Sequence, residues 1–205
     1  MDFKSHWEKV YTTKQINEVS WYQPTPRVSL GFINELGIPK DAAIIDVGGG
    51  DCFLVDHLLT GGYTNISVLD ISEAAITRAK ERLGEKARLV KWIACDINDF
   101  IPETKYDFWH DRAAFHFLTA EEEIKKYLAT ANNALSKNGK IVIGTFSEDG
   151  PSKCSGLPVK QYSEKTLPGL LKKWFQKIRC ISIDHITPIN TIQNFLFCSF
   201  KKSII

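Results

Sequence analysis

No apolar run in the sequence approaches the ~20 residues needed to cross a bilayer, which excludes a helical membrane span. The opening, Met1-Asp2-Phe3-Lys4-Ser5-His6-Trp7, lacks the apolar stretch of a secretory signal, so a cytoplasmic protein is expected. An excess of one charge is also missing. Lys plus Arg number 26 against 24 Asp plus Glu, a near-balance that offers no electrostatic footprint for nucleic acid or an anionic membrane. Cysteine is sparse: Cys52, Cys95, Cys154, Cys180 and Cys198 are scattered, without a C-x-x-C pair or a nearby histidine cluster. Neither a metal site nor a dense disulfide framework is expected from them, and reduced thiols are the reading. Internal repeats, low-complexity tracts and a second-domain boundary are absent too.

What remains suits one domain over residues 1–205. The chain is 43% hydrophobic and 24% charged, ordinary for a globular core and against wholesale disorder. Short apolar runs alternate with helical segments. Ala42 to Val47 is a β-branched run that stops at Gly48-Gly49-Gly50, and a helix follows from Asp51 to Thr60. Ile66 to Asp70 is a second strand, and Ser72 caps the helix after it. Arg88 to Cys95 and Tyr106 to His110 read as strands three and four. Thr119 with Glu122 forms a capping box before a helix carrying Ile124, Leu128, Ala131 and Leu135, and Lys140 to Phe146 is strand five. The Gly/Pro/Ser-rich loop from Ser147 to Tyr162 is long enough to suggest function. A helix over Ser163 to Phe175 then leads to strands at Ile178 to Ile186 and Asn194 to Lys201, whose link is too short for a helical crossover. The pattern predicts an α/β three-layer sandwich around a mostly parallel sheet that ends in one antiparallel strand.

Ligands of such sheets bind beyond the carboxyl ends of the strands. Three features converge there. Asp46-Val47-Gly48-Gly49-Gly50-Asp51 follows strand one, where missing Cβ atoms let a ligand approach the backbone N–H groups. Asp70 ends strand two, placed to accept both hydroxyls of a ribose, and Asp96, between Cys95 and Ile97, follows strand three, placed for an adenine amino group. A dinucleotide fingerprint would need a third glycine where Phe53 stands, and Asp51 would repel a pyrophosphate at the helix start. A nucleoside carrying a sulfonium and an ammonium tolerates these acids better, so charge favours S-adenosylmethionine over NAD.

At these residues the chain resembles the class I S-adenosylmethionine-dependent methyltransferases. Asp46-Val47-Gly48-Gly49-Gly50 is similar to their first motif, Val68 to Ser72 (with Ile71) to their ribose-binding segment, and Ala94-Cys95-Asp96-Ile97 to their adenine-binding one. His6-Trp7-Glu8-Lys9-Val10-Tyr11 and Trp21-Tyr22-Gln23 are similar to the opening of elongation-factor lysine methyltransferases and bacterial relatives. The resemblance implies a Rossmann-like core over residues 41–205 with strand order 3-2-1-4-5-7-6, strand seven antiparallel, and a segment 1–40 folded over the cofactor. It also implies transfer of a methyl group, leaving S-adenosylhomocysteine.

The remaining candidates each carry two readings. Trp7, Tyr11, Trp21 and Tyr22 lid the cofactor, or pack an aromatic face on the core. Arg27 reaches the cofactor carboxylate, or pairs at the surface. His110 and His116 accept a proton, or are hydrogen-bonded histidines lining a pocket. Asp111 anchors the cofactor ammonium or orients the nucleophile, or pairs with Arg112, while Cys154 meets the acceptor as a soft atom or is incidental. Methyl transfer to a small molecule is the leading expectation; a protein lysine acceptor, a non-catalytic nucleoside-binding protein and an NAD oxidoreductase follow it. A monomer or weak homodimer, without nucleic acid, membrane or metal, completes the set.

Overall fold

The computed structural model describes residues 2–203. Its main sheet has seven strands: β1 (Ile44–Val47), β2 (Ile66–Asp70), β3 (Val90–Ala94), β4 (Tyr106–Arg112), β5 (Leu135–Phe146), β8 (Phe175–Ile186) and β9 (Ile192–Lys202). A separate hairpin holds β6 (Lys153–Cys154) and β7 (Leu157–Pro158). The order is β3-β2-β1-β4-β5-β9-β8, with β9 antiparallel to both its neighbours. Hairpin aside, this is the expected order 3-2-1-4-5-7-6. Every residue of β1 and β2 is buried, because helices cover both faces and leave no polar side to the strand.

Period two divides the core. Ile45, Val47, Trp109 and Ile143 face α5 (Glu121–Ala134) and α6 (Thr166–Leu171). Ile44, Phe108 and Val142 face α2 (Arg27–Glu35) and α3 (Leu54–Thr60). On this second side α4 (Glu73–Leu83) is tied to α3 by a bidentate bond from Arg82 to Asp56, at 3.1 and 2.8 Å. Ahead of these elements α1 (Phe3–Thr13) lies across the edge where β1 and β2 end.

Several boundaries differ from the sequence expectation for local reasons. The helix expected from Asp51 starts at Leu54, because Arg82 holds the Asp51 and Cys52 carbonyls at 2.7 and 3.0 Å and keeps that turn open. The capping bond before α5 is one residue later than expected: the Ala120 N–H donates to Glu123 at 3.2 Å. The helix expected over Ser163 to Phe175 shortens to α6, with Pro168 in its first turn. The long loop after β5 contains the β6–β7 hairpin, turned by Ser155 and Gly156 at φ of 51° and 80°. Cysteine also requires a correction. Cys180 and Cys198 are register partners across β8 and β9 and form a disulfide, leaving Cys52, Cys95 and Cys154 free. A separation of 18 residues gave no sign of this, since only the strand register makes them neighbours.

Among the described residues no helix is long and apolar enough to cross a membrane, and no three His, Cys, Asp or Glu side chains cluster as a metal site.

Candidate active site

The glycine turn after β1 is the pivot of the site. Gly48 and Gly50 have φ of +66° and +47°, a region costly for residues with a Cβ. A Cβ on Gly48 would stand 2.5 Å from the Ala114 Cβ, and one on Gly50 would stand 2.8 Å from the Tyr11 hydroxyl. These contacts change the expected reason for glycine. The Gly48 and Gly49 N–H groups both donate to the Leu69 carbonyl, at 2.8 and 3.2 Å, so they are not bare donors waiting for a ligand. Glycine is needed here for close packing under a strained turn.

Around this turn opens a cavity that is partly continuous with solvent. Val47, Gly48, Leu69, Asp70, Ile71, Cys95, Asp96 and Ile97 form its floor at the ends of β1, β2 and β3. Phe3, Trp7, Tyr11 and Trp21 form its roof, and Phe117, Leu118, Ala114, Arg112, Cys154 and Glu123 close the far wall. The roof is a packed aromatic group: Trp7 meets Trp21 at 5.6 Å and Phe117 at 5.1 Å, both edge to face. Tyr22 departs from this group and stacks its edge on Phe53. A smaller cavity lies behind, lined by Asp46, Gly49, Asp51, Ser29 and His110, and shares Trp21, Gly48, Cys52 and Arg112 with the first.

Helix α1 is held over the cavity by polar bonds to α4. The Glu8 carboxylate accepts from the Glu73 and Ala74 N–H groups at 2.6 and 3.0 Å, satisfying two orphan donors at the start of α4. Arg78 donates to the Tyr11 and Lys14 carbonyls, each at 2.9 Å. Glu8→Ala is expected to cost about 1 kcal/mol and to expose α1. Limited proteolysis should then cleave before Arg27 several times faster than in the wild type, and an unchanged cleavage rate would contradict this anchoring.

Burial sets the charge state of the floor. Asp70 is 5% exposed, and desolvation, with the nearby Asp51 and Asp46, pushes its carboxyl up to about 7. One of its oxygens accepts from the Ser72 N–H at 2.8 Å. Asp96 accepts from the Asn98 N–H at 2.8 Å and faces the cavity. Asp51, raised by burial, is answered by Arg78 at 3.0 Å, so its charge is less repulsive than the sequence suggested.

Of the expected cofactor residues, Asp46, Gly49 and Asp51 line only the smaller cavity and Gly50 lines neither, while His110, Asp111, His116 and Arg27 are placed away from the main cavity. The sequence suggests catalytic roles for both His110 and Asp111, but adjacent residues of a strand point to opposite faces. His110 is 3% exposed and clamped, Nδ1 to Asp46 at 2.6 Å and Nε2 to the Ser29 hydroxyl at 2.8 Å. It touches only the small rear cavity. Asp111 turns to the α5 side, accepting from the Tyr127 hydroxyl at 2.7 Å and from the Ala114 and Phe115 N–H groups at 3.1 and 3.0 Å. It pins the turn that carries Ala113 at φ of +66°, and it does not pair with Arg112. His116 is fully buried, its Nδ1 accepting from the Phe146 N–H, and burial with the Arg112 charge lowers it to about 3. It does not reach the cavity. Arg27 is exposed and lines neither cavity.

Cys154 does reach the cavity, from the β6–β7 hairpin, but burial raises its thiol to about 11 and that of Cys52 to about 12. Both are thiols at neutral pH and weak nucleophiles. Arg112, Phe117, Leu118 and Glu123 were missed as lining residues. For Arg112 a signal existed: it shares strand parity with His110, so a strand running to Arg112 aims its side chain to the Asp46 side of the sheet.

Comparison with known proteins agrees with this arrangement. The family model described as "Methyltransferase domain" matches residues 38–196. Malonyl-[acyl-carrier protein] O-methyltransferase 1 of Ilyobacter polytropus is 32% identical over 111 residues, covering 54% of this chain and 40% of that protein. EEF1A lysine methyltransferase 2 of Danio rerio is 27% identical over 157 residues, covering 68% and 66%. The chain thus spans 40% and 66% of the length of these two relatives. The structure of Burkholderia thailandensis 1,6-didemethyltoxoflavin-N1-methyltransferase, with its bound 1,6-didemethyltoxoflavin and S-adenosylhomocysteine, superimposes with a TM-score of 0.75 at 19% identity, over 98% of this chain and 87% of that one. At that identity the likeness speaks for the fold. The family match covers well over half of the sequence, and the chain belongs to the methyltransferase-domain family.

Proposed function

We propose that this protein transfers a methyl group from S-adenosylmethionine to a small-molecule acceptor. The observation that carries the reading is a single apolar cavity that joins the strand-end acids Asp70 and Asp96 to a closed aromatic roof. The donor set fits the cofactor. Asp70 suits the ribose hydroxyls, Asp96 the adenine amino group, and the Leu69–Ile71 and Cys95–Ile97 side chains offer apolar walls to the flat base. The faces of Trp7, Tyr11 and Trp21 attract a cation, and Arg112, across the cavity on the far wall, is the one cationic side chain among the lining residues. When bound, the cofactor supplies an electrophilic methyl group on a sulfonium whose leaving group is a neutral thioether.

The protein's share of the chemistry is then placement. Fixing two reactants in line is worth several kcal/mol, up to ~7–11 in favourable cases, provided the walls do not give. Here the floor is the end of a parallel sheet and the roof is fastened to α4, so α1 acts as the cover and the strand ends as the platform. No histidine lines the main cavity, and its thiols stay protonated. An acceptor whose nucleophilic atom is already unprotonated at neutral pH is therefore the best match.

A small acceptor is favoured over a protein side chain because the roof residues Phe3, Trp7 and Tyr11 sit on an anchored helix that covers the strand ends and leaves the chamber only partly open to solvent. Incubation with methyl-labelled S-adenosylmethionine and a fractionated extract tests this. Label is expected in the small-molecule fraction. Label in acid-precipitated protein, released on hydrolysis as methyl-lysine, would move the acceptor to the class named in the second relative. Binding without transfer to any fraction would favour a non-catalytic nucleoside-binding protein.

A further inference from the structure

Residues 19–26 lead into α2 without a helix or strand of their own, so their carbonyl groups depend on partners from elsewhere. Three side chains supply them. Arg112 Nη1, at the end of β4, donates to the Trp21 carbonyl at 2.9 Å, and His57 Nε2, on α3, donates to the Pro24 carbonyl at 3.0 Å. The third comes from the outermost strand of the sheet. His185 Nε2, on β8, donates to the Ser20 carbonyl at 2.7 Å, across 165 residues of chain.

A carbonyl can only accept, so the ring proton of His185 sits on Nε2 and Nδ1 keeps its lone pair. The Gln23 amide uses that lone pair, donating from its Nε2 at 3.3 Å. The ring is 6% exposed, and burial with the nearby Arg112 charge lowers its basicity, which keeps it neutral. His185 thus grips the chain on both sides of Trp21. It lines neither cavity, whereas Trp21 lines both. The Trp21 indole meets Trp7 at 5.6 Å and Tyr11 at 6.2 Å, edge to face, so a shift of residues 20–23 carries the roof with it.

We propose that His185 is a positioning residue of the site, holding the Trp21 indole in the roof through its bonds to Ser20 and Gln23. The last hairpin of the chain thereby becomes part of the binding apparatus without touching a ligand. The inference rests on the methyltransferase reading for the ligand that probes it.

A double-mutant cycle separates positioning from a merely structural role. S-adenosylhomocysteine is titrated by calorimetry into His185→Leu, Trp21→Ala and the double variant. His185→Leu is expected to weaken binding about 5–10-fold, the worth of one or two hydrogen bonds, and to cost nothing further once Trp21→Ala has removed the indole. His185→Gln puts an amide nitrogen where Nε2 stood and should bind within about 2-fold of the wild type. His185→Asn is too short to reach Ser20 and should lose as much as His185→Leu. The emission of Trp21, taken as the difference between proteins with and without Trp21→Ala, should move to longer wavelength in His185→Leu as the indole meets water.

Unchanged affinity in a folded His185→Leu protein overturns the proposal. So do equal losses with and without the indole, because the effect would then spread through the fold, and so does an Asn variant that matches the Gln one. If His185→Leu does not fold, the Gln and Asn variants carry the test. If Trp21→Ala abolishes binding, the emission decides, and an unshifted spectrum overturns the proposal. Should the wild type itself bind no S-adenosylhomocysteine, the methyltransferase reading fails, and the same emission shift still decides the role of His185.

Discussion

His110→Ala is expected to lower the unfolding free energy by about 3–5 kcal/mol, among the largest effects of any single substitution near the site. The imidazole bridges β1, β4 and α2 through Asp46 and Ser29, all three side chains being nearly inaccessible. Asp46 and His110 are register partners on the same face of adjacent strands, so the bond also fixes the platform of the glycine turn. Removing the ring leaves a buried carboxylate and a buried hydroxyl without their partner. Denaturant unfolding at pH 7.5 measures the loss. A His110→Ala protein with wild-type stability and no turnover would contradict this account and restore the histidine as a proton acceptor.

Asp70→Asn should separate stability from binding, moving them in opposite directions. In the ligand-free wild type the Asp70 carboxyl titrates near 7, against an ordinary value of 3.8. A raised carboxylate pKa means that the folded state holds a proton the unfolded chain has released between pH 4 and 7. Stability therefore falls as pH rises through that window, and the full penalty is present above pH 7. That pKa difference corresponds to about 4 kcal/mol as an upper limit. Asparagine never ionises, so the variant's advantage over the wild type should be small at pH 4 and grow towards pH 8. The comparison isolates Asp70, because His116 and Asp111 titrate in both proteins. Affinity for S-adenosylhomocysteine should drop by about 10–100-fold at pH 8, where ribose hydroxyls donate to the ionised wild-type carboxylate. A variant no more stable than the wild type at pH 8 would show that Asp70 is not desolvated, and one with undiminished affinity that it does not face the ribose.

The sheet was legible in the sequence because its evidence is local. β-branched runs ending at Gly48 and Asp70, helices closed by glycine, and a short link before the last strand are each readable within a dozen residues. The floor of the site followed from the same signals, since strand ends on one edge of a parallel sheet must converge. Side-chain direction was less accessible. His110 and Asp111 were placed together by their position at a strand end, although the pleat sends one to Ser29 and the other to Tyr127. The Cys180–Cys198 pairing depends on strand register, which no local pattern encodes. Arg27 was chosen for its charge, yet its place at the first turn of α2 leaves it in solvent.

A crystal structure grown with S-adenosylhomocysteine tests the central claim most directly. The adenine edge should lie against Asp96, the ribose hydroxyls within 3 Å or so of the Asp70 carboxylate, and the sulfur beneath Trp7 and Trp21 beside Gly48. Nucleoside density elsewhere on the protein, with the chamber above β1 and β2 filled by its own side chains, would contradict it.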